Sequence, residues 1–197
     1  MNQCETLLKK DIEQDCESPI VKGLEKDGIL INRSDIDFSN TVFDNQNKNI
    51  IKQLILKSGK KGYSVVQMGN SPFNGAKSDL VVGTYRNKWT NEVPIVVLDN
   101  GPEVCEKVID GLANGSFVLI VKNKHKGADG KAEYQVYGYY QGLQASAGTN
   151  EKYSEDTDGG WLITLQEVGA PKSALFYFNT DSTTTAAQFE ALTTEAE

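Results

Sequence analysis

The stretch from Val93 to Asn123 constrains the fold more than any other, because it reads strand, helix, strand with almost no slack between the pieces. Pro94-Ile-Val-Val-Leu98 is an apolar, β-branched run of the kind a buried strand carries. Asp99-Asn100-Gly101 breaks it, and Pro102 brings the fixed φ that suits the first turn of a helix. Val104, Cys105, Val108, Ile109 and Leu112 then recur at the spacing of one helical face, with Glu103 and Glu106 near the positive end of the dipole. Asn114-Gly115 offers a left-handed stop, and Phe117–Val121 follows as a second apolar run. A helix of about three turns is marginal alone in water, so this one must lie on a sheet. Burying its apolar side chains contributes roughly 7–15 kcal/mol before chain entropy is subtracted.

The rest of the chain is read around that unit. Residues 1–18 are polar with a weak helical rhythm at Leu7, Leu8 and Ile12, which predicts an N-terminal arm. Pro19–Val21 and Gly28–Ile31 read as two short strands or a strand and a bend, and Asp35–Phe38 and Thr41–Phe43 alternate in the strand sense. Ile50–Leu56 suits helix or strand. Ser58-Gly-Lys-Lys-Gly62 has glycine at both ends of a dilysine, followed by Tyr63–Gln67, which predicts a hairpin. Gly69–Gly75 is a loop. Leu80–Leu98 reads as two strands with a bend near Asn87–Asn91, and Glu133–Leu143 as the clearest strand, with Tyr134, Val136, Gly138, Tyr140 and Gly142 on one face. Residues 147–160 read as an acidic surface loop. Trp161–Leu165 and Ala174–Phe178 are the last strands, and Thr183–Leu192 reads as a short helix or loose tail. About eight to ten strands and one good helix give a mainly-β or α+β class. The expected organisation is an arm over 1–18, one domain over 19–180 and a C-terminal helix or tail over 181–197.

Composition narrows the function classes. With 39% hydrophobic and 24% charged residues the chain is neither disordered nor membrane-spanning in composition, and its apolar runs are far too short for a span. No secretory signal is visible at the N-terminus, so a reducing cytoplasm is the expected site of synthesis. A net charge of −7 argues against sequence-independent nucleic-acid binding, which needs a basic face. The lysine clusters Lys57, Lys60, Lys61 and Lys122, Lys124, Lys126, Lys131 sit in turn-like sequence and read as solvated loop tips.

Candidates for chemistry are few. His125, the sole histidine, lies among lysines rather than orienting carboxylates and reads as exposed and inert. Cys105 reads as a small core residue, and Cys4 and Cys16 either pair or stay as thiols. Glu155–Gly160 has oxygen donors and a glycine turn but not the spacing of a calcium loop. Asp35 and Asp37 are placed to share a strand face, as an acid–base dyad or as plain exposed residues. No phosphate-binding, dinucleotide or nucleophile-elbow pattern is present. Expected catalytic, cofactor and metal residues are therefore none, and a non-enzyme is expected.

The lysine-tipped segment Ser58–Gly62, the unit Val93–Asn123, the run Lys126–Leu143, and Gly160–Leu165 with Gly169–Phe178 together resemble virion structural proteins of tailed bacteriophages, most of all the tail-tube subunit. The resemblance implies two packed antiparallel sheets, a sandwich or half-barrel, with one central amphipathic helix at 103–114. It further implies stacked rings of this chain in a virion, contacts to other virion proteins, DNA passing as non-specific cargo, and no membrane. Gly59, Lys60, Lys61 and Gly62 are the expected inter-subunit contact. An acidic balance suits a lumen that must not hold DNA back. Other readings are a capsid-decoration, ring or connector protein, a monomeric β-rich ligand-binding module, and an enzyme with scattered carboxylates.

Overall fold

Two sheets share one apolar interior. The computed structural model describes residues 8–13, 16–17, 19–127 and 129–196. The larger sheet has seven strands: β1 (Leu24–Asn32), β2 (Val42–Phe43), β3 (Ile50–Gln53), β4 (Tyr63–Val66), β7 (Phe117–Asn123), β8 (Tyr134–Tyr137) and β11 (Leu175–Tyr177). Their order is β2-β3-β11-β8-β7-β1-β4. The smaller sheet has four: β5 (Lys77–Val81), β6 (Lys88–Val97), β9 (Gln144–Asn150) and β10 (Trp161–Ala170), ordered β5-β6-β10-β9. This is a mainly-β, α+β sandwich with one central helix. Its pairing is antiparallel throughout the described strands except for β11 with β3, where Phe176 lies opposite Ile50 in a parallel register.

The apolar run of β7 follows from burial on both faces. Phe117, Leu119 and Val121 point into the layer between the sheets, where they meet Val93, Ile95, Ile163 and Leu165. Val118 and Ile120 point the other way, into a second cluster with Ile29, Ile31, Tyr134 and Tyr177. The C-terminal helix Ser182–Ala191 covers that second cluster through Phe189, with Leu192 just past its end. Asp181 caps its start, accepting from the Thr184 N–H at 2.8 Å. So 182–191 is a packed helix and not a tail.

The central unit is where the sequence placed it, with three differences. The helix runs Pro102–Val104, Cys105–Ile109 and Asp110–Asn114, and its middle segment is a π turn that rotates the following residues. Ile109 and Leu112 are buried, Val104 and Cys105 half-buried, and Val108 is exposed, so the expected five-residue face is not all covered. Gly115 is extended (φ −88°) rather than left-handed; glycine is needed because a Cβ there would strike the Phe117 ring. Finally, β6 and β7 belong to different sheets, so the helix links the two layers.

Other expectations are corrected. The segment 58–62 is not a hairpin: β3 and β4 lie near opposite ends of the large sheet, and Tyr63 pairs with Leu30 of β1. Its glycines do make a turn, closed by the Lys60 N–H on the Lys57 carbonyl at 3.0 Å. Pro19–Val21 is exposed and forms no strand. In Asp35–Phe38 only Ile36 pairs as a strand residue, in an isolated antiparallel bridge to Leu56; Asp35 ends a 3₁₀ turn (Arg33–Asp35) and Asp37 caps a second turn. The bend between β5 and β6 lies at 82–87. The strand expected over 133–143 stops at Tyr137, because Gly138 adopts φ +83° and starts a turn. Residues 144–150 form an edge strand where part of a loop was expected.

Candidate functional site

The residues singled out for chemistry do not converge. Asp35 accepts from Asn32 Nδ2 at 3.0 Å and lies 3.8 Å from Lys60 Nζ. Asp37 turns away to accept from the N–H groups of Ser39 and Asn40 and from Asn40 Nδ2. Those bonds, the Asn40 side chain foremost, hold its carboxyl below the usual range, so it is a turn cap with no partner acid. His125 is half-buried beside Lys124 and Lys126. Among the described residues no three His, Cys, Asp or Glu side chains are placed to hold a metal ion. Cys16 is exposed and Cys105 half-buried; Cys4 and Leu7 lie outside the described residues. Three lysines of the second basic cluster are engaged: Lys126 with Glu133 at 2.9 Å, Lys131 with Asp129 at 2.7 Å, and Lys122 over the rings of Tyr134 and Phe189.

The expected contact residues 59–62 are tied inward by their backbone. The Gly59 N–H donates to Ala196 at 2.7 Å, the Gly62 N–H to Leu192 at 2.7 Å, and Ala196 returns a bond to Lys60 at 2.9 Å. A Cβ on Gly62 would sit 2.5 Å from the Ile29 side chain. This segment therefore has little backbone to offer a neighbouring strand, and what it presents outward is the two lysine side chains.

One buried acid went unread in the sequence. Glu167 on β10 is 1% exposed, and four donors surround its carboxylate. Oε2 accepts from Asn91 Nδ2 (2.8 Å) and Gly138 N–H (3.0 Å), and Oε1 from Tyr140 N–H (3.0 Å) and Gln141 N–H (2.9 Å). The carboxylate thus fastens the turn after β8 to the opposite sheet. Every donor is spoken for, so this is an anchor and not a reacting acid. Period-two alternation from Ile163 and Leu165 already puts residue 167 on the inner face, and that was the available signal.

The surface features that stand out are apolar. At the β5–β6 turn, Leu80, Val81, Val82 and Tyr85 are all exposed, Val82 at 80% and Tyr85 completely. The outer edge of β5 pairs with no strand among the described residues. At the far end of β6 lies a groove of about 740 Å³, floored by Phe73, Val96, Leu98 and Leu162 and rimmed by Glu155, Asp156 and Asp158. There β6 lacks a strand partner on its β5 side, and the Gln67 side chain fills in. Gln67 accepts from the Val96 N–H at 2.9 Å and donates to its carbonyl at 3.0 Å. Pro94 has no N–H to offer. Among the described residues no helix is long and apolar enough to cross a membrane.

Compared with models of known protein families, with curated proteins and with solved structures, the chain matches none.

Proposed function

We propose that this chain is a self-assembling structural protein of a tailed-phage virion, most like a tail-tube subunit, whose copies form rings or a tube that DNA traverses. The observation that carries the reading is the apolar β5–β6 turn. Four large apolar side chains, Leu80 and Val81 on an unpaired sheet edge and Val82 and Tyr85 in the turn after it, are a liability for a solitary protein and a ready contact for a repeating one. The two-sheet sandwich with its linking helix has the architecture that the tail-tube resemblance implies. The described part of the N-terminal arm adds exposed Leu8 and Ile12, which suit a segment that binds elsewhere. A net charge of −7 favours passage of DNA over its retention. Among the described residues no three His, Cys, Asp or Glu side chains gather at one point.

Sedimentation velocity of the full-length chain tests this. Assembly that grows with concentration is expected, and Leu80→Ser with Val82→Ser is expected to suppress it without altering the fold. A 21.6 kDa species at every concentration refutes the reading. The 740 Å³ groove favours a second reading, a monomeric ligand-binding module, and a stable monomer is the result that would favour it.

A further inference from the structure

We propose that the groove at the end of β6 is a socket for the β5–β6 turn of a second copy, so that copies join head to tail; this rests on the self-assembly reading above. The two surfaces match in polarity. The floor offers Phe73, Val96, Leu98 and Leu162, and the turn offers Val82, 80% exposed, and Tyr85, completely exposed.

They also match in charge. The rim carries Glu155, Asp156 and Asp158, and the turn and its exit carry Arg86 and Lys88, all exposed. Among the described residues none of these five side chains is held in an ion pair.

Their placement excludes self-insertion. Lys88 opens β6 beside the turn, while Pro94, Val96 and Leu98 line the groove at its other end. Six to ten residues of strand at about 3.3 Å each put roughly 20–30 Å between the two. Side chains and not an added strand must fill the groove, because Pro94 cannot donate and Gln67 already takes both polar groups of Val96. A contact between two different patches is heterologous: repeated, it closes a ring or continues as a filament.

The test exchanges the charges in the full-length chain. Arg86→Glu/Lys88→Glu reverses the turn, Glu155→Lys/Asp156→Lys reverses the rim, and circular dichroism checks that each folds like the wild type. Each variant alone is expected to raise the concentration for half-assembly by roughly ten- to a hundredfold. An equal mixture is expected to return to within about threefold of the wild type, since the acidic turn of one meets the basic rim of the other. If a rim variant misfolds, Val82→Ser/Tyr85→Ser reads the same contact from a turn with no native packing to lose. Wild-type assembly left intact by these variants overturns the socket and leaves self-assembly standing, whereas a monomeric wild type overturns both. Assembly kept in Arg86→Glu/Lys88→Glu but lost in Leu8→Glu/Ile12→Glu assigns the groove to the N-terminal arm and also overturns it.

Discussion

Replacing Glu167 by glutamine tests whether the buried carboxylate holds the two sheets together. In the native chain each carboxylate oxygen accepts two N–H groups. An amide keeps one such oxygen and turns the other into a donor facing donors. If the NH₂ takes the Oε2 position, Asn91 can flip and accept from it, because the Ser78 hydroxyl 2.7 Å away works as donor or acceptor. The Gly138 N–H then stays buried without a partner, at a cost of about 1–3 kcal/mol. Two further bonds, from Tyr140 and Gln141, lose the assistance of a full charge, worth roughly 0.5–1 kcal/mol each. The sum is a loss of about 2–5 kcal/mol, and Glu167→Ala, which strands all four donors, loses more. Urea unfolding followed by the fluorescence of Trp89 and Trp161, both on the β6–β10 pair, reads this directly. With a slope near 2 kcal/mol/M the midpoint falls by about 1–2.5 M. Measurements belong at concentrations where the protein is monomeric, so that assembly does not enter. A Glu167→Gln midpoint equal to the wild type would refute the reasoning, since it would mean that desolvating the charge offsets all that its hydrogen bonds contribute.

Three other outcomes follow from the same structure. Burial pushes the phenols of Tyr134, Tyr137 and Tyr177 up to about 12, above the ordinary 10 of the unfolded chain. Their stabilisation is therefore complete below pH 10 and lost between 10 and 12, by roughly 2–3 kcal/mol for each of Tyr137 and Tyr177 and by less for Tyr134, whose hydroxyl end is nearer solvent; stability that stays flat across that window in a pH-dependent melt contradicts it. Gly138→Ala should cost about 3 kcal/mol or more by thermal melting, because φ is +83° and the new methyl lands on the Phe117 carbonyl; a wild-type melt would show that the turn can shift. Phe189→Ala removes the ring that packs 4.9 Å from Tyr134 and should cost about 3–5 kcal/mol, whereas a loss under about 1 kcal/mol would show that the C-terminal helix is not part of the core.

What was legible in the chain was whatever burial wrote into consecutive residues. Phe117–Val121 announces itself because a strand covered on both faces has no polar position, and Pro102 marks the helix start by its φ alone. Edges are written faintly. Only Ala145 of β9 packs against the core, so Gln144–Asn150 carries no alternation to read. Glycines at 59 and 62 do signal a turn, but the partner of β4 is decided by β1 and by the segment 192–196, distant in sequence. The tyrosines after Gly138 keep a strand-like spacing while Glu167, on another sheet, bends that stretch into a turn. The β5–β6 turn and the groove escaped notice because a run such as Leu80-Val-Val82 reads as core until the fold leaves it outside.

Imaging the purified full-length chain by negative-stain electron microscopy, at concentrations bracketing any transition in sedimentation, is the most direct measurement. Rings of uniform diameter or tubes built from them are what the account predicts. A uniform field of 21.6 kDa particles that never associate would contradict it.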